Sequence, residues 1–149
     1  MKNIPVVDLF AGPGGLGEGF SSFKNNGKTQ SYDLVLSIEK DPMAHQTLEL
    51  RSFFRKFKGK APSEYYRYLQ NPSLDARRSL FEKFHSQSLQ AQSEAQCLEL
   101  GKDNDEIHKR IREKTGKTDA WVLIGGPPCQ AYSLVGRSRL KGKKKSPRT

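Results

Sequence analysis

Three short apolar runs stand out in a polar chain. Residues 4–10, IPVVDLF, are rich in Val and predict a short buried strand. Residues 33–38, DLVLSI, predict a second strand, and residues 119–124, DAWVLI, a third. Five glycines between Gly12 and Gly19 follow the first run. A helix starts inside that stretch and runs through Phe20 and Phe23, where the apolar spacing turns helical. Asn25-Asn26-Gly27 ends it and opens a loop. After the second strand, Asp41 caps a further helix with Pro42 in its first turn. Met43, Thr47, Leu48 and Leu50 are its expected buried face. Strand, glycine turn, helix, strand, helix is the opening of an α/β fold built on a parallel sheet.

Residues 51–118 break that rhythm. Phe53, Phe54, Phe57, Tyr65, Tyr66, Tyr68 and Leu69 fall at helical intervals in a basic stretch interrupted at residues 59–63. Such spacing favours core plus basic surface over a base-stacking platform. Leu74–Leu100 is a polar, Gln-rich, helix-like run. Gly101–Asn104 breaks it, and Glu106–Thr115 is a short charged helix. There is no internal repeat.

A length of 149 residues argues for one domain, 1–149. With 34% hydrophobic residues and a mean hydropathy of −0.76, no apolar run approaches the roughly 20 residues that span a bilayer. The first ten residues are too short and polar a run for a signal peptide. Two cysteines cannot make a disulfide framework, so a reducing, intracellular setting is expected. The three histidines share no ligand spacing, and no metal site is expected.

The net charge of +10 is uneven. Residues 1–46 carry −1, residues 47–118 carry +5 and residues 119–149 carry +6. The last seven basic residues all lie between Arg137 and Arg148. That density suits a polyanion such as DNA or RNA; a solvated tail is the bland alternative.

Two loops carry chemistry, each at the C-terminal end of an expected strand, where open α/β sheets bind ligands. Gly12, Gly14 and Gly17 match G-x-G-x-x-G, and Glu39 ends the second strand. The pattern predicts a nucleoside-containing cofactor whose ribose hydroxyls bond the carboxylate. The nicotinamide reading rests on this match alone. The second loop is GGPPCQ, Gly125 to Gln130. Its prolines fix the backbone ahead of Cys129, and its glycines let the chain leave the strand sharply. A thiol so held, and favoured as thiolate, is a nucleophile. Cys97, in a polar run, is structural or incidental.

DLFAGPGG resembles the first S-adenosylmethionine-binding motif of the DNA cytosine-5 methyltransferases, and VLIGGPPCQAYSLVGRSR resembles their catalytic motif. The resemblance covers roughly residues 4–50 and 119–140. It implies a Rossmann-like methyltransferase fold with an incomplete parallel sheet. Residues 51–118 would be a variable, mostly helical insert, and 136–149 the start of a mobile basic loop. By resemblance the turn Ala11, Gly12, Pro13, Gly14 and Gly15 cradles the methionine moiety of S-adenosyl-L-methionine. Phe10 contacts the adenine and Glu39 the ribose. Lys40 stands where family members often carry an aromatic or apolar residue against the adenine.

Cys129 would attack a cytosine flipped out of double-stranded DNA, with Gln130, Ser133, Arg137, Arg139 and Lys141 contacting the DNA. The family's third adenine contact is not recognisable, with Asp103 and Asp105 as candidates. The later Glu-Asn-Val motif and the target-recognition domain are not in the sequence. The expectation is therefore a fragment, inactive alone, that needs the remainder of a bacterial restriction-modification enzyme, cytoplasmic and nucleoid-associated. The alternative is a non-catalytic nucleic-acid-binding or regulatory remnant of the same fold.

Overall fold

The computed structural model describes residues 3–25, 27, 29–116, 118 and 120–128. Four strands form one parallel sheet: β1 (Ile4–Leu9), β4 (Tyr32–Glu39), β5 (Ala95–Cys97) and β6 (Val122–Gly125), in the order β5-β4-β1-β6. β1 is central. Val6 pairs with Leu34 and Asp8 with Ser37 on one side, Val6 with Val122 and Leu9 with Gly125 on the other. The three strands expected from the apolar runs are thus parallel neighbours. Their C-terminal ends share one edge, in a Rossmann-like arrangement.

Helices cover the sheet. α6 (Asn104–Thr115) sets Ile107 against Val7, Leu36 and Ile38, all almost fully buried. α1 (Gly15–Ser22) lies against β1 and β4 and can approach them only because residue 17 has no side chain. A Cβ on Gly17 would stand 2.7 Å from Leu34 Cδ2 and 3.2 Å from Asp8 Oδ2. α1 ends before Phe23, which is exposed. The loop expected after it contains a small antiparallel pair, β2 (Lys24–Asn25) with β3 (Thr29–Gln30).

α2 (Pro42–Arg55) starts as expected: the Asp41 carboxylate accepts the Ala44 N–H at 2.8 Å. Its buried face differs from the expected one. Leu48, Ser52 and Phe53 are buried, whereas Met43 and Thr47 are exposed and Leu50 is only partly covered. The i, i+4 row through Leu48 and Ser52 faces inward, and Leu48 packs on Ala11 and Ala95. Phe53 anchors a second core with α3 (Ser63–Gln70), α4 (Leu74–Lys83) and α5 (His85–Glu94). It stacks on Phe81 at 4.7 Å and meets Phe57 edge-on at 5.1 Å. The aromatic stretch is core, as its helical spacing predicts, with Tyr66 and Leu69 left exposed.

The run expected to be helix-like over 74–100 divides. It breaks at Phe84 between α4 and α5, then leaves helix altogether at β5. β5 is three residues of Ala-Gln-Cys, with no β-branched residue to announce it. It pairs Ser37 with Ala95 and Glu39 with Cys97, and extends the sheet within the segment expected to be an insert. No helix among the described residues is long and apolar enough to cross a membrane.

Candidate functional site

The chain leaves β1 through Phe10, whose φ of 57° is left-handed. This reversal lets Ala11 donate its N–H to the Ile38 carbonyl at 2.9 Å and turn its methyl into the core. Gly12 then donates its N–H to Glu39 Oε2 at 2.7 Å. Gly14, buried, caps α1 without a side-chain bond, and Pro13 and Gly15 are exposed. Glu39 Oε1 accepts the Asp41 N–H at 2.8 Å. One carboxylate therefore pins the glycine turn after β1 to the start of α2.

β6 enters the same edge beside β1. Gly125 is required there, because a Cβ would collide with the Leu9 carbonyl oxygen. Beyond it, Gly126 and Pro128 reach a pocket of about 270 Å³ that Phe10, Gly12, Ile38, Glu39 and Lys40 line from the other two strand ends. The two sequence motifs thus meet at one cavity. Cys129, Gln130, Ser133, Arg137, Arg139 and Lys141 lie outside the described residues.

Leu98 and Leu100 complete the pocket wall, and sequence reasoning missed both. They follow β5, so this fourth strand end also lines the pocket, with apolar side chains. Asp103 instead accepts the Glu99 N–H at 2.8 Å and shapes the turn before α6, and Asp105 is exposed in the first turn of that helix. Neither lines the pocket. Lys40 reaches across to Glu99, Nζ to Oε1 at 3.1 Å, in an exposed pair at the pocket rim.

Beneath the turn, Asp8 is fully buried, and neither carboxylate oxygen has a hydrogen-bond partner among the described residues. Burial pushes its carboxyl up to about 6; the Gly17 backbone amide opposes that rise without reaching hydrogen-bond geometry. Ser37, its register partner on β4, is also buried, with its hydroxyl unpaired among the described residues. A larger cleft of about 440 Å³ lies between the start of β4 and helices α5 and α6. It is lined by Asp33, Lys56, Ser93 and Lys114 and contains neither motif loop.

Two curated relatives match this chain. One, named Type II methyltransferase M.Bpa9945I, from Bacillus paralicheniformis, is 29% identical over 153 aligned positions, covering 91% of this chain and 33% of the relative. The other, named Putative type II methyltransferase M.OihORF3336P, from Oceanobacillus iheyensis, is 30% identical over 141 positions, covering 94% of this chain and 21% of the relative. The chain therefore spans a third or less of the length of the curated relatives it matches. No family model matches it, and no solved structure matches it significantly.

Proposed function

We propose that this chain is the cofactor-binding and nucleophile-bearing part of a DNA cytosine-5 methyltransferase of the restriction-modification type. The observation that carries the reading is the meeting of the two motif loops at one pocket, with Phe10, Gly12 and Glu39 on one side and Gly126 and Pro128 on the other. The relatives' names, one Type II methyltransferase and one Putative type II methyltransferase, support it.

The pocket's chemistry suits an adenosine. Phe10, Leu98 and Leu100 give apolar walls for a base, and Glu39 gives a carboxylate for the ribose hydroxyls. Each Glu39 oxygen already accepts one backbone N–H. An ionised carboxylate offers about four acceptor sites, so capacity remains for both hydroxyls. Bound S-adenosylmethionine would supply the methyl group. The turn through Ala11, Pro13, Gly14 and Gly15 would hold its methionine end, and Lys40, tied to Glu99, would close the rim.

Cys129 follows Pro128 directly in the chain. As thiolate it would attack carbon 6 of a flipped cytosine, placing electron density on carbon 5 for the methyl transfer. Loss of the carbon-5 proton then expels the thiolate. Gln130, Ser133, Arg137, Arg139 and Lys141 would hold the DNA. Helices α3 to α5 of segment 51–118 would act as an insert, whereas β5 and α6 pack with the sheet, and 136–149 would act as a closing basic loop. Residues of the remaining enzyme would complete the reaction. Calorimetric titration of the chain with S-adenosylmethionine tests the reading: saturable binding lost in Glu39→Ala supports it, and no binding at millimolar cofactor overturns it.

A further inference from the structure

Between residues 51 and 70 the chain carries six basic side chains and one acidic one. The fold sorts them. Arg55 turns inward to Glu18 and the buried Glu94, and Lys56 meets Glu94 at 2.5 Å. The single carboxylate, Glu64, is held by Lys83 at 2.5 Å. Arg51, Lys58, Lys60 and Arg67 have no carboxylate partner among the described residues.

Their placement divides them: Arg51 lies near the glycine turn, whereas the other three lie at or beyond the far end of α2. Arg51 passes the glycine turn, with its Cδ 3.6 Å from where a Cβ on Gly14 would stand. Lys58 and Lys60 are exposed on either side of Gly59 in the turn between α2 and α3. Lys58 has φ 51°, a left-handed conformation that glycine or asparagine adopts more readily than lysine. A lysine there gives up backbone stability and puts a cation on the turn. α3 then carries exposed Arg67 next to Tyr66, half of whose surface is open.

We propose that the turn between α2 and α3, together with Arg67 of α3, grips the phosphate backbone of duplex DNA at the end of α2 away from the glycine turn, separately from the basic residues 137–148. The choice of DNA as the polyanion rests on the reading above. Ammonium and guanidinium groups free of carboxylates release counterions when they meet phosphates, which favours binding at any sequence. Such contacts position a duplex and carry no base information. The inward pairs of Arg55 and Lys56 hold the α2 end against α1 and α5, so the outward cations stand on a fixed support.

The test is the salt dependence of binding to a fluorescein-labelled duplex of arbitrary sequence, read by anisotropy. Each phosphate contact contributes about 0.9 to the slope of log K against log salt. The triple variant Lys58→Gln, Lys60→Gln, Arg67→Gln should lower the slope by roughly 2–3, with thermal unfolding unchanged. The pair Lys109→Gln, Arg112→Gln on α6 should leave it unaltered. An unchanged slope in the triple variant, or a parent chain that does not bind duplex, overturns the inference. S-adenosylmethionine calorimetry on the same proteins separates the two readings. A lowered slope without cofactor binding keeps the phosphate surface and removes the methyltransferase assignment. Cofactor binding with an unchanged slope does the reverse.

Discussion

Gly12 and Glu39 stand 27 positions apart in the chain and are joined by a hydrogen bond of 2.7 Å, from the glycine amide to the carboxylate. The acid at the end of β4 therefore does two things with one group. It ties the glycine turn to the neighbouring strand, and it presents a carboxylate to the pocket.

This double duty sets the first prediction. Glu39→Ala removes the carboxylate proposed to accept the ribose hydroxyls, so affinity for S-adenosylmethionine should fall by about 1.5–3 kcal/mol. It also strands the partly buried Gly12 amide, which costs about 1–3 kcal/mol of stability. Glu39→Gln keeps an acceptor for one amide, so its unfolding midpoint should lie between the two. Calorimetry and thermal unfolding check both halves. An unchanged cofactor affinity in Glu39→Ala would put the ribose elsewhere.

Gly17→Ala should be destabilising although the residue sits in a helix, where alanine is normally the better choice. The new Cβ would stand 2.7 Å from Leu34 Cδ2 and crowd the buried Asp8 carboxyl. Overpacking of this kind costs about 1–3 kcal/mol. Gly19→Ala, with open space at its Cβ, is the control and should be neutral or stabilising. Urea denaturation of the two variants gives the comparison; equal midpoints would show that α1 has room to move.

Asp8 makes stability depend on pH with a definite sign. Its carboxyl is raised from 3.8 to about 6 by burial, so the folded chain holds the proton more tightly than the unfolded one. The stabilising effect is complete below pH 4 and is lost as pH rises to about 6, where the buried group must ionise with no hydrogen-bond partner among the described residues. The loss amounts to as much as about 3 kcal/mol. Asp8→Asn should flatten this part of the curve. Unfolding free energies measured from pH 4 to pH 7 test it, and a slope retained in Asp8→Asn would assign it to another group.

The strands β1, β4 and β6 were legible because each is an apolar run, two of them ending at a glycine-rich loop. β5 was hidden because a strand of Ala-Gln-Cys has no signature once its neighbours supply the pairing and the burial. Leu98 and Leu100 were lost with it, since a pocket wall made by two leucines is visible only when the strand before them is known. The motif residues Phe10, Gly12 and Glu39 were readable from local pattern. The Gly12–Glu39 bond was not, because it depends on the register of β1 against β4. The inward turn of Leu48 and Ser52 in place of Met43 and Thr47 likewise follows from packing on Ala11 and Ala95, not from apolar content.

The last prediction concerns the nucleophile. Cys129 follows two prolines at the end of the segment that carries Gly126 and Pro128 to the pocket, whereas Cys97 ends β5, exposed, with its thiol 3.8 Å from the Lys40 carbonyl. If Cys129 attacks carbon 6, a cytosine with fluorine at carbon 5 cannot lose the proton that releases the enzyme, and the adduct persists. A longer protein carrying this chain should form a denaturation-resistant complex with 5-fluorocytosine duplex and S-adenosylmethionine. Cys129→Ser should abolish it and Cys97→Ser should leave it intact. The proposed mechanism also needs a group that stabilises charge on the ring as the thiolate adds, and assigns it to the remainder of the longer protein, so the 149-residue chain alone should give none. Absence of such a group typically costs about 10²–10⁴-fold in rate. Gel separation of the crosslinked duplex reads all four samples. Trapping by Cys129→Ser would assign the nucleophile to another residue, and trapping by the 149-residue chain would show that its own residues supply the stabilising partner.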